Sequence, residues 1–336
     1  MRGKYRERCA GDHPERLADS SPPLQNTESH VSFDLSIVAI PDNPSVPADP
    51  VPAVDSAAMS EFVGSNGESS RTGVLIVNAD DWGRDVETTD RIIECVLRGA
   101  VSSASAMVFM EDSERAAALA RERGVDVGLH LNFTSPFSAP LAPGRLAEHG
   151  ERVSRFLLRN RLAQVMYHPG LASSFEYVVA AQLEEFRRIY GAEPRRVDGH
   201  HHMHLCANVL FAGLLPAGTI ARRNFSFQPG KKSGVNRFYR GVIDRLLARR
   251  HRLTDYFFSL PPLQPAERLD RVFAVARRSV VEVETHPINP EEYRFLAGGE
   301  IFQRIGNLSI ESGFAVPEAD GVGKKIKRRS SAHAQR

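Results

Sequence analysis

The chain has 336 residues, 42% hydrophobic and 25% charged, with a net charge of +2; that is the make-up of an ordinary globular protein. A near-neutral balance argues for neither nucleic acid nor an acidic membrane as a partner, and no apolar run approaches the roughly 18–20 residues that span a bilayer. The three cysteines, Cys9, Cys95 and Cys206, include no close pair, which excludes a disulfide framework or a cysteine zinc site and suits a reducing cytoplasm, the expected location.

Residues 1–71 are rich in Pro, Ser, Asp and Asn and show no sustained periodicity. They are expected to be a disordered extension. No apolar core follows the basic N-terminus, so no signal peptide is expected. Met59, shortly before the first strand, is a candidate natural start. From residue 74 strands and helices alternate. Val74 to Val77 is a four-residue apolar run, and 74–78 reads as a buried parallel strand. It leads into Asp80, Asp81, Trp82 and Gly83, where the chain must turn. A helix is expected over 86–98, stopped by Gly99. A strand lies within 101–110, an alanine-rich helix over 113–123 after Asp112, and a strand over 125–132. A proline-rich loop, 133–144, follows directly and is placed to shape a site. Helices are expected over 145–168 and 173–190, then a strand over 195–200 that ends in a histidine cluster. Further strands at 219–221, 255–258 and 279–284 are separated by helices near 235–250 and 265–276. The tail from 317 is polar, with a basic run at 323–330 that reads as a solvated, disordered segment.

About seven β-α units without a glycine-rich dinucleotide fingerprint point to an α/β fold, a (β/α) barrel or an irregular seven-stranded relative of one. A doubly wound open sheet is the alternative. In both, sites gather at the C-terminal edges of the strands.

Four features lie at such edges. They are Asp80 with Asp81, His130, the run Asp198 to His204, and His286 before Pro287. The run holds four of the chain's twelve histidines within five residues. Each feature has a plainer reading: a helix cap, a core histidine, a surface histidine patch and a turn residue. Trp82, the only tryptophan, suits the core as well as a substrate platform. Together they fit a metal site, because a carboxylate with two imidazoles is a common ligand set for a divalent ion. The carboxylate left over can act as a general base and a separate histidine as an acid.

The sequence resembles the YdjC-like (ChbG/HpnK) carbohydrate deacetylases. The matching pieces are Val77 to Gly83, Gly99 to Ser103, Gly128 to Leu131, Val197 to His204 and Glu284 to Pro287, in family order over about residues 74–315. Where this chain has Trp82 the family usually has Phe, and where it has Gly199 often Ser. The resemblance implies a barrel-like domain, here 72–316, that hydrolyses the acetamide carbon–nitrogen bond of an N-acetylated amino sugar or glycolipid. It implies one divalent metal ion, Mg²⁺ or Zn²⁺, on Asp81, His130 and His200, with a water on the metal as nucleophile. Asp80 is then the base and His286 the acid. Trp82, His202, His204 and Arg222 are expected against the substrate. No nucleic-acid partner is implied, and a homodimer is compatible with the sequence, which does not determine oligomeric state. The other readings kept open are a metal-dependent hydrolase of another bond, such as a phosphoester, and a non-catalytic protein that binds sugar or metal.

Overall fold

Residues 73–226 and 234–311 are described in a computed structural model of the chain. The expected N-terminal extension, the Met59 start and the basic tail lie outside these residues. Seven strands form one sheet: β1 (Val74–Trp82), β2 (Ser103–Ala106), β3 (Val127–Leu131), β4 (Arg196–Gly199), β5 (Ile220–Ala221), β6 (Tyr256–Ser259) and β7 (Val280–Thr285). Every pairing is parallel, in the order β5-β4-β3-β2-β1-β7-β6. From β1 to β5 the sheet grows in one direction, and β6 and β7 then arrive from the other side. A doubly wound sheet reverses direction at a switch point instead. The two edges are tied together: Ala221 N donates to Arg252 O at 2.9 Å and Ser226 N to Phe257 O at 2.8 Å. The sheet is therefore curled and barrel-like, as expected, with an irregular seam where β5 is only two residues long.

Helices α1 (Val86–Leu97), α2 (Ser113–Arg123), α3 (Gly144–Leu157), α4 (Ala172–Tyr190), α5 (Ala207–Phe211), α6 (Gly234–Ala248), α7 (Glu267–Ala276), α8 (Pro290–Ala297) and α9 (Glu300–Ile305) connect or follow the strands. Local chemistry sets several of their ends. Asp85 caps α1 by accepting from Thr88 N at 2.8 Å, and Gly124 and Gly191 end α2 and α4 in the left-handed conformation. Asp112 makes no capping bond; its carboxylate pairs with Arg115 instead. No helix among the described residues is long and apolar enough to cross a membrane.

The apolar core runs between the sheet and these helices. Leu75, Val77 and Ala79 of β1, Val281 and Val283 of β7, and Leu129 and Leu131 of β3 are all fully buried, each side chain contributing roughly 1.5–3 kcal/mol for the larger residues. That core holds the strands in register, and the register decides which side chains meet at their C-terminal ends.

Candidate active site

Two adjacent carboxylates cannot normally share one face of a strand. Here a bulge removes the conflict. Ala79 pairs with Ala104 and Trp82 with Ala106, so β1 takes three steps where β2 takes two. The extra residue falls at Asp80–Asp81, and Asp81 has a φ of 68°. Left-handed backbone is unfavourable for a residue with a Cβ, and Asp is among the few that tolerate it. Both carboxylates are buried and turn to the same side.

Asp81 Oδ1 lies 3.4 Å from His130 Nε2 and 2.9 Å from His200 Nδ1. His130 arrives on β3, paired in register with Asp198 on β4. Its Nδ1 is 2.8 Å from Asp198 Oδ1, an arrangement that fixes the ring and leaves Nε2 facing Asp81. His200 opens a 3₁₀ turn, His200–Leu205, directly after β4. Within that turn His201 and His202 adopt φ values of 54° and 58°. The chain doubles back so tightly that a Cβ on Gly199 would lie 2.9 Å from His204 N. Glycine at 199 therefore permits the approach. The His201 ring stacks on His200 at 4.0 Å and its Nδ1 lies 3.0 Å from Thr134 Oγ1.

The ligating atoms of Asp81, His130 and His200 all lie within 4.8 Å of one another. Asp81 Oδ1 and His130 Nε2 are buried and have no hydrogen-bond partner. Buried polar atoms left this way are costly unless a ligand satisfies them. One carboxylate oxygen and two imidazole nitrogens fit a divalent first-row ion.

The electrostatics point the same way. Five carboxylates, those of Asp80, Asp81, Asp198, Glu282 and Glu284, are buried around one buried guanidinium, that of Arg222. Arg222 Nη1 donates to Asp80 Oδ2 at 2.6 Å and Nη2 to Asp80 Oδ1 at 2.7 Å. Arg222 also reaches Asp198 at 2.8 Å, Glu282 at 2.8 Å and Glu284 at 3.5 Å, and its guanidinium sits 5.0 Å over the Phe257 ring. Burial opposes the charge on Asp81, yet His200 and His130 hold its carboxyl well below the usual range. Burial also opposes charge on His130, and Asp80 and Asp198 more than offset it, raising the imidazole to about 10. A second group, Asp80, His130 and Asp198, is as tightly clustered. Its carboxylate oxygens already accept from Arg222, Asn78 and Ser105, whereas Asp81 Oδ1 accepts from no such donor network, so the first group is the better candidate for an ion.

His286 follows β7. Because Ala79 pairs with Thr285, the next residues of β1 and β7, Asp80 and His286, lie side by side, with His286 Nε2 3.9 Å from Asp80 Oδ2. His286 is half-buried. Burial would lower its pKa, but Asp80, Asp81, Glu284 and Glu292 raise it.

Other expected side chains sit elsewhere. Trp82 is fully buried in the apolar core, because the bulge returns the strand to its pleat. His204 is fully buried, its Nε2 3.0 Å from Arg222 O; burial holds it neutral, down to about 3. Arg222 is 3% exposed. All three, expected against a substrate, are buried in this structure, and His204 and Arg222 contact each other behind the carboxylates. His202 is half-buried, 3.6 Å from Glu284, and His202 and Arg222 hold that carboxyl down to about 2 against burial. The loop over 133–144 is pinned toward α2 by two hydrogen bonds, Ala139 N donating to Phe109 O and Glu111 N donating to Ser138 Oγ.

Asp198 and Glu284 lay within the motifs read from the sequence but received no role there, and Glu282 was not singled out. A signal existed: Glu282 and Glu284 alternate with Val281 and Val283, putting two acids on one face of a buried strand. Asp198 stands two residues before His200 on the same principle.

A family profile described as YdjC-like protein matches residues 74–299. A carbohydrate deacetylase of Mus musculus is 34% identical over 152 residues, covering 43% of this chain and 47% of that protein. A chitooligosaccharide deacetylase of Serratia marcescens is 33% identical over 133 residues, covering 39% of this chain and 51% of that protein. The chain thus spans about half the length of these curated relatives. A solved structure from Enterococcus faecalis V583, named for cellobiose-phosphate cleavage, has the same fold, with a TM-score of 0.53 at 19% identity over 72% of this chain and 97% of that one.

Proposed function

The chain belongs to the YdjC-like protein family, and from that premise we propose that it removes the acetyl group from an N-acetylated amino sugar, in a free oligosaccharide or a glycolipid, with the help of a divalent cation. The observation that carries this reading is that the buried atoms Asp81 Oδ1 and His130 Nε2, facing each other beside His200, are satisfied by no hydrogen bond. The named deacetylases among its relatives support it, and residues 72–316 are taken as the catalytic unit.

Asp81, His130 and His200 would hold Mg²⁺, Zn²⁺ or a similar ion. Such an ion polarises an amide carbonyl and lowers the pKa of a water. Asp80 is the base that takes the proton from the attacking water. Its carboxylate plane is held by two parallel bonds from Arg222, so little reorganisation is needed when the proton arrives. His286, beside Asp80 and raised toward the charged form by the acids around it, is the acid that protonates the departing nitrogen. Arg222 positions Asp80 and the Asp198 partner of His130 at once.

The test is acetate release from N-acetylglucosamine oligomers and acetylated glycolipids by the purified chain, with metal content measured on the same sample. Turnover that requires about one ion per chain is expected. A metal-loaded chain that releases no acetate from any of them would overturn the proposal.

A further inference from the structure

His286 sits on a turn, and turns between a strand and a helix have to be held by something. Of its backbone groups, the carbonyl accepts from Asn289 N at 2.9 Å, which closes a four-residue turn through Pro287 and Ile288. Its amide donates to Glu292 Oε2 at 2.9 Å. The same oxygen accepts from Thr285 Oγ1 at 2.7 Å, and Glu292 Oε1 accepts from Asn289 Nδ2 at 2.7 Å. One carboxylate therefore ties the residue before His286, His286 itself and the residue that precedes α8.

Glu292 is the third residue of α8, counted from Pro290. An acid in that place commonly reaches back to the backbone amide of the capping residue. Here Asn289 makes no side-chain capping bond of its own, and the carboxylate reaches three residues further back, to the strand end. Glu292 and Thr285 are 2% and 0% exposed. A carboxylate buried so completely must have its oxygens satisfied, and three donors do this. It also lies in the first turn of α8, where negative charge is favourable. From the other side, Arg91 Nη1 of α1 donates to Ile288 O at 2.8 Å, anchoring the middle of the turn.

We propose that Glu292 is the positioning residue for His286: its carboxylate sets where the turn leaves β7, and so where the imidazole stands relative to Asp80. The proposal rests on the reading of His286 as the proton donor of the deacetylation. Glu292 does not touch the reacting atoms. It acts through the backbone of the residue that does.

The test is Glu292→Gln, which keeps the shape but offers one acceptor oxygen to three donors. With acetate release as the assay, kcat is expected to fall about 10- to 100-fold, the usual consequence of misplacing a reacting group by an ångström, with KM within about twofold. In a His286→Ala background the same substitution is expected to change kcat by less than about twofold, because the two residues act as a unit. A purely structural role would lower kcat in both backgrounds alike, and that outcome overturns the proposal, as does full activity of Glu292→Gln. Amide exchange gives a readout independent of turnover. The His286 amide is expected to exchange at least about tenfold faster in Glu292→Gln while the Val283 amide does not. An unchanged His286 amide overturns the positioning role. A changed one without acetate release in the native chain keeps it and overturns the deacetylase reading instead.

Discussion

Arg222 grips Asp80 with two parallel hydrogen bonds, 2.6 and 2.7 Å long, in a pair that is almost completely buried. Their positions are 142 residues apart in sequence. The same guanidinium contacts Asp198, which in turn orients His130. The proposed base and a proposed metal ligand thus share one support, and removing it should disturb both.

Arg222→Met should leave four neighbouring carboxylates without their buried counter-ion. Breaking a buried pair from one side typically costs about 3–5 kcal/mol, so urea unfolding should show a loss of that order. Arg222→Lys should recover part of the stability and little of the activity, since an ammonium cannot reproduce the two-point geometry. Wild-type stability in both variants would show that the carboxylates do not depend on this residue.

Metal affinity should separate the ligands from their supports. His130→Ala and Asp81→Ala should each abolish retention of a divalent ion after dialysis. Asp198→Asn should keep the ion but bind it about 10- to 100-fold more weakly, the usual effect of removing the partner of a ligating imidazole. Titration with Zn²⁺ against a competing chelator measures this, and equal affinities across the series would refute the ligand assignment.

Asp80→Asn removes a proton acceptor and leaves Asp81, His130 and His200 in place. Retained metal with a loss of about 10²- to 10⁴-fold in kcat is expected. Full turnover in this variant would remove Asp80 from the role of base.

His286 must be protonated to donate. Its pKa is raised above the usual 6.5 by Asp80, Asp81, Glu284 and Glu292, against the effect of burial. The rate should therefore hold through neutral pH and fall only as pH rises through that raised value. Stability follows the same sign: the contribution of His286 is full below 6.5 and is lost as pH rises through the folded pKa. A pH–rate profile should lose its alkaline limb in His286→Ala; an unchanged limb would assign it to another group.

Much of the fold was legible from residue patterns. Val74 to Val77 read as a buried parallel strand because apolar side chains must leave water on both faces, and 279–284 read as a strand. Gly124 and Gly191 end α2 and α4 because glycine adopts the left-handed cap without strain. The four chemistry-bearing features also stood out, since crowded histidines and paired acids are costly without a ligand. Strand lengths were less legible. β1 continues through both aspartates to Trp82, beyond its apolar run, because a bulge lets the ladder pass them.

The sequence by itself determined the alternation of strands and helices, the edge at which chemistry collects, and the residue types that collect there; these follow from hydrophobic period, turn residues and charge, all of which are local. Only the tertiary structure decided what each residue does with its neighbours. It turned Asp80 and Asp81 to one side through the bulge, and buried Trp82, His204 and Arg222. It also brought Asp198, Glu282 and Glu284 onto a single guanidinium. Those outcomes depend on strand register and on contacts up to 142 residues apart, and no local pattern carries that information.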